Sequence, residues 1–198
     1  MDSFGTVRAL AREKHDALRA RAGGNTAPQL LAAARKDAGL KVQKLPADHP
    51  LLAGGDGALH RKSNAIYISA ALDPDIAVFV EAHEFGHFWI ETPSDPVIVS
   101  RGSDPGVPEE DTPLGLKRVE AYSPEELRER FANVFAREFL LPCPEARQLF
   151  VELGQTAIKI AGDLTLPLGL VHQQLPTSPC SSRRTSLATS GLRRRPTP

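Results

Sequence analysis

Residues 73–93, DPDIAVFVEAHEFGHFWIETP, constrain this chain more than any other stretch. Asp73 is a helix cap and Pro74 a first-turn residue, while Thr92-Pro93 cannot continue a helix, so one helix is predicted between them. Ile76, Phe79, Val80 and Ile90 give that helix an apolar character, which puts its two histidines at least partly inside a core. Part-buried imidazoles without a metal need other hydrogen-bond partners. Gly86, in the middle of the helix, costs about 1 kcal/mol relative to alanine, and makes sense where another backbone passes close by.

The rest of the chain supplies partners for such a helix. At 198 residues, with 41% hydrophobic and 24% charged, it is expected to bury one core of ordinary size as a soluble globular protein. Residues 1–24 read as an N-terminal helix from Phe4 to about Ala22, ended by AGGN, and a second helix runs from about Pro28 to Ala38. KVQKL, GALH and NAIYIS are short, rich in β-branched and aromatic residues, and separated by the turn signals AGGDG and RKSN. They predict a small antiparallel sheet. The segment SPEELRERFANVFAREFLLP starts with a capping box from Ser123 to Glu126, has Pro124 at its first helical position and stops at Pro142.

The expected class is therefore α+β, mostly helical, with one domain over residues 25–142. Within it, residues 92–121 form a long Pro/Gly/Asp-rich connection, expected to be irregular. Residues 143–175 continue as a helical region in which AIKIAGDLTLPLGLVHQQL has the spacing of two short helices joined by a tight turn, resembling a helix-turn-helix. Residues 176–198 are low-complexity, proline-punctuated and basic, and are expected to be disordered.

Net charge is formally zero, yet residues 171–198 hold five arginines and no acid, so the body is mildly acidic and only the tail is basic. No apolar run approaches the eighteen or so residues that span a bilayer, and MDSFGTVRALAREKH lacks a signal-peptide core. A cytoplasmic protein with no membrane partner is expected. Cys143 and Cys180 form neither a disulfide framework nor a CxxC metal site.

His83-Glu84-x-x-His87 is the pattern of zinc metalloproteases. Two imidazoles one turn apart reach one ion, while Glu84, about 100° further round, is free to accept a proton from an acidified water. Chance produces the pattern in roughly one shuffled sequence of this composition in a hundred, so a third ligand is needed to support it. Glu91 continues the same face, but it lies about 12 Å from His83 along an intact helix, too far for bonds near 2 Å. Glu109, Glu110 and Asp111 fall in the irregular connection.

Three acids remain, Glu125, Glu126 and Glu129, on the Ser123–Pro142 helix. Glu126 is used by the capping box and Glu125 suits the first turn of any helix. Glu129 shares a stripe with Ala132, Asn133 and Ala136, small residues that allow another helix to come close. It is the best third ligand, and Asn133 is placed to orient a ligand from behind.

HEFGH followed some forty residues later by ERFANVFAREFLLP resembles the ImmA/IrrE metallopeptidases, whose second motif reads roughly E-x-x-A-N-x-F-A-x-x-L-L-x-P. The match lies at Glu129, Ala132, Asn133, Phe135, Ala136, Leu140, Leu141 and Pro142, with Phe139 where a leucine usually stands. It covers about residues 25–175, strongly only 73–142. The resemblance implies a zincin-like fold and one zinc ion on His83, His87 and Glu129, with Glu84 as general base. It further implies a protease that cuts a helix-turn-helix repressor in a stress-response or mobile-element switch. The chain also looks like versions of this domain at the front of larger chains with a UvrD-like helicase, and its arginine- and serine-rich tail then reads as a truncation or frame shift.

Peptide-bond hydrolysis also needs a group that stabilises the oxyanion. Tyr67, Tyr122, His60 and Arg118 are candidates, and spacing does not choose among them. Two rival readings remain. One is a non-catalytic zinc-binding regulatory domain, against which Glu84 argues, since a structural site has no use for a base. The other is a DNA-binding regulator acting through residues 157–175, with His172, Gln173 and Gln174 reaching bases. That segment has one lysine and no arginine, so direct nucleic-acid binding is not favoured and packing beside the zinc domain is.

Overall fold

In the computed structural model the described residues are 4–90, 97–100, 105 and 123–175. The expectations for the remainder of the 92–121 connection and for the 176–198 tail lie outside them. Helix α1 (Phe4–Arg19) buries Val7, Ala11, His15 and Leu18 along one stripe and lays it on α4 (Pro124–Leu140). Helix α2 (Ala27–Ala38) starts where the Gln29 side chain accepts from the Thr26 N–H at 3.1 Å, and ends at Gly39, whose φ of 66° suits glycine.

Helix α3 (Pro74–Ile90) is buried without interruption from Phe79 to His87. A helix enclosed on every side must be covered on every side, and α4, α2 and the sheet do this. Phe85 stacks on Trp89 at 5.0 Å between ring centres, and Trp89 meets Phe135 and Phe139 of α4 at 5.5 and 5.7 Å. Fully buried phenylalanines such as these stabilise the fold by roughly 1.5–3 kcal/mol each. On α4 the capping box forms as read: Ser123 Oγ accepts from Glu126 N–H at 3.2 Å and Glu126 Oε2 from Ser123 N–H at 2.9 Å.

The sheet has strand order β1-β3-β2-β4, with β1 Lys41–Leu45, β2 Gly57–His60, β3 Ala65–Ser69 and β4 Val97–Ser100. It is mixed, which corrects the expectation of an antiparallel sheet: β1 runs parallel to β3, while β2 is antiparallel to both β3 and β4. The chain reverses between β1 and β2, through a loop with a 3-10 turn at Pro50–Leu52, and again between β2 and β3, through the Arg61–Ser63 turn. Two reversals leave β1 and β3 parallel; the β2–β3 hairpin has two free edges, of which β1 joins that of β3 and β4 that of β2. Strand β4 comes from within the connection expected to be irregular.

Register assigns the two faces of the sheet. Val42, Ile66, Ile68, Gly57, Leu59, Ile98 and Ser100 share the face packed on α3, and Tyr67, Ala58 and His60 share the other. Beyond α4 the chain forms α5 (Cys143–Arg147), a wide helical turn at Gln148–Glu152, α6 (Ala157–Leu164) and α7 (Leu168–Gln174). The two short helices are joined by a turn in which Thr165 has a φ of 57°. Helix α7 packs on α4 and α5. No helix among the described residues is long and apolar enough to cross a membrane.

Candidate metal centre

The two chemistry-bearing helices touch where both carry their smallest residues. A Cβ built on Gly86 would stand 3.0 Å from Ala132 Cα and 3.1 Å from the Ala132 carbonyl oxygen. Glycine therefore sets the α3–α4 separation, and Ala132 lies three residues beyond Glu129, nearly a full turn along α4. The close crossing brings the Glu129 carboxylate to the histidines of α3.

His83 and His87, one turn apart, are both buried and present Nε2 to the same point, 3.0 Å from each other. Glu129 completes the group, with Oε2 3.3 Å from His83 Nε2 and Oε1 3.3 Å from His87 Nε2. Four-coordinate zinc, with bonds of about 2.0–2.1 Å at tetrahedral angles, separates neighbouring ligand atoms by about 3.3 Å. The three observed separations are close to that edge, and the donor set of two imidazoles and a carboxylate is one that a divalent ion accepts. One metal ion fits this triad.

Behind His83, its Nδ1 lies 2.6 Å from Asn133 Oδ1. With the amide oxygen as acceptor, Nδ1–H donates, which turns Nε2 toward His87 and Glu129. Burial pushes the Glu129 carboxyl up, but hydrogen bonding and charge from His83 and His87 outweigh it and hold the group well below the usual carboxylate range. Glu129 is thus an anion facing the two rings.

Glu84 sits beside this group without joining it. Its side chain is fully buried and, among the described residues, both carboxylate oxygens lack a hydrogen-bond partner. Burial raises its pKa; His87 and His83 pull it back, as does the Ser100 hydroxyl nearby. The carboxylate lies over Gly57 of β2, where a Cβ would come within 2.6 Å of Glu84 Oε1 and 2.7 Å of Val80 Cγ1. Gly57 went unremarked in the sequence, although a glycine opening a strand, as in GALH, is a signal of close approach. Ser100, opposite it on β4, carried no such signal.

Of the oxyanion candidates, His60 and Tyr67 are not brought to this point. His60 and Tyr67 meet edge to face at 4.9 Å on the sheet face turned away from α3, and His60 Nε2 lies 3.0 Å from the Leu51 carbonyl. Tyr122 and Arg118 lie outside the described residues, as do Glu91, Glu109, Glu110 and Asp111. Arg61 approaches the C-terminal end of α3: its Nη2 donates to the His87 carbonyl at 2.8 Å and its head lies 5.8 Å from the Phe88 ring centre.

In the C-terminal region Gln174 is not free to read bases. Its Nε2 donates to the Leu141 carbonyl at 2.6 Å and to Glu138 at 3.2 Å, both on the side of α4. His172 remains exposed on α7. Lys159, the one lysine of the segment, is paired with Asp163 at 2.6 Å.

Comparison with known proteins adds no name to this geometry: no protein-family model matches the chain, and no curated protein does.

Proposed function

We propose that this chain is a zinc-dependent endopeptidase of zincin-like fold, similar to the ImmA/IrrE metallopeptidases, that hydrolyses a peptide bond in a protein substrate. The observation that carries the reading is the meeting of His83, His87 and Glu129, from two helices, beside a buried and unpartnered Glu84. A purely structural site would have no reason to keep an orphaned carboxylate next to its ligands.

His83, His87 and Glu129 would hold the ion, and when bound zinc supplies Lewis-acid polarisation of a carbonyl and acidification of water. Asn133 keeps the lone pair of His83 turned toward the ligand cluster. Glu84, whose pKa burial raises, would take the proton of the attacking water and return it to the leaving amine. A helix-turn-helix repressor is the substrate that the resemblance favours.

Mass spectrometry of new N-termini tests the reading, using the zinc-loaded protein with a helix-turn-helix repressor and with an N-terminally blocked peptide library. Cleavage is expected from the unaltered protein and should be lost in Glu84→Gln, with zinc still bound, and after chelation. Cleavage that survives Glu84→Gln overturns the assignment of the base, and the absence of any cleavage overturns the protease reading.

A further inference from the structure

Among the described residues, two fully buried polar groups lack partners and lie on the same side of the same sheet. There the Ser100 hydroxyl has no hydrogen-bond partner, and neither carboxylate oxygen of Glu84 has one. A hydroxyl left unpaired in an interior loses its water without gaining a partner, so a protein retains such a group for a reason. Here the reason is supplied by register.

Ser100 pairs with Gly57 across the β2–β4 ladder, and directly opposed residues of an antiparallel pair project to the same face, with Cβ positions about 4.5–5.5 Å apart. The space above Gly57 that a side chain would fill is occupied instead by Glu84 Oε1. Ser100 therefore projects beside the Glu84 carboxylate. Its backbone is pinned as well, because the Asp56 N–H donates to the Ser100 carbonyl at 2.9 Å. Among the described residues, the acceptor offered to this hydroxyl is a carboxylate that has no donor of its own.

We propose that Ser100 is a positioning residue for Glu84: its hydroxyl donates to one carboxylate oxygen and keeps the other turned toward the His83, His87 and Glu129 cluster. Glycine at 57 supplies the floor, and serine at 100 the wall that stops the carboxylate from rotating. A serine hydroxyl turns toward its acceptor by rotation about the first side-chain torsion. This assignment rests on the reading of Glu84 as the base, but the hydrogen bond itself exists or not whether or not the chain cuts peptides.

Two measurements on the full chain decide it. In protein carrying 13C-serine, the Ser100 hydroxyl proton should give a slowly exchanging downfield NMR signal, absent in Ser100→Ala and displaced in Glu84→Gln. If no such signal exists, or if Glu84→Gln leaves it in place, the proposal fails, whatever the activity. On a peptide that the unaltered protein cleaves in the blocked library, Ser100→Ala should lower kcat by about ten- to a hundredfold with KM within about twofold, as loss of a hydrogen bond to a charged group predicts. Unchanged kcat, or a change confined to KM, overturns the positioning role and leaves the protease reading standing. Failure to cut any library peptide counts against the protease reading alone, because the NMR signal still decides whether Ser100 holds Glu84.

Discussion

Asn133 Oδ1 lies 2.6 Å from His83 Nδ1, a contact between residues fifty apart in the chain that selects which nitrogen of the ring faces the ligand cluster. Removing it should affect metal more than fold. Asn133→Ala is expected to lower zinc affinity by about ten- to a hundredfold, measured by competition with a chromophoric chelator, whereas Asn133→Asp, which keeps an acceptor, should stay near the unaltered value. Affinity of Asn133→Ala within twofold of the parent would show that the contact does not orient the ring.

Gly86→Ala sets two effects against each other. Alanine gains about 1 kcal/mol of helix propensity, but its Cβ meets Ala132 backbone atoms at 3.0 and 3.1 Å, and overpacking of this kind costs about 1–3 kcal/mol. The contact should win, because backbone on α4 cannot swing aside as a flexible side chain does. Lower thermal stability together with weaker zinc binding is expected, since α4 carries Glu129 away as it moves. A variant more stable than the parent would remove the steric account of this glycine.

Glu145 links α5 to α1 through His15 Nε2 at 3.3 Å and Arg19 Nη2 at 3.2 Å. Burial pushes the Glu145 carboxyl up, yet the His15 hydrogen bond and the Arg19 and His15 charges outweigh it, so its folded pKa lies below the ordinary 4.5. A depressed carboxyl stabilises the fold above its unfolded pKa and loses that contribution as pH falls through the folded value. Urea unfolding from pH 7 to pH 3 should therefore show a stability gap between the parent and Glu145→Gln that is full near neutrality and closes on the acid side of 4.5. A gap that widens with acidification has the wrong sign.

The Arg35 guanidinium grips the buried Glu81 carboxylate with two hydrogen bonds of 2.6 and 2.5 Å, joining α2 to α3. Arg35→Met strands that carboxylate and should destabilise the protein by about 2 kcal/mol, less than for a fully buried pair because the arginine head is partly solvated. Adding Glu81→Leu should recover most of the loss. If the double variant unfolds as readily as Arg35→Met alone, an unpaired buried charge is not the cause.

Local chemistry marks ends well, and the start of α3 and both ends of α4 were legible for that reason, while the stop expected at Thr92-Pro93 lies outside the described residues. Proline, a capping serine and its reciprocal glutamate act within four residues, so no tertiary contact is needed to place them. The helical stripe that groups Glu129 with Ala132 and Asn133 is equally local, as is the one-turn spacing of His83 and His87. Strand positions 41–45, 57–60 and 65–69 could also be read from turn residues and β-branched composition. Their pairing could not, because β1 joins β3 only after two chain reversals, and hydrogen-bond partners across a sheet leave no mark in the order of residues.

The sequence by itself determined which residues can ligate a metal and which segments become helices, because those depend on side-chain chemistry and on spacing within a few turns. Only the tertiary structure decided that Gly86 meets Ala132, that Asn133 backs His83, and that Glu84 lies over Gly57 beside Ser100. It also turned Tyr67 and His60 away from the centre, by a register that alternates side chains between faces. Each of these depends on a distance across the fold, set by close packing of elements far apart in the chain.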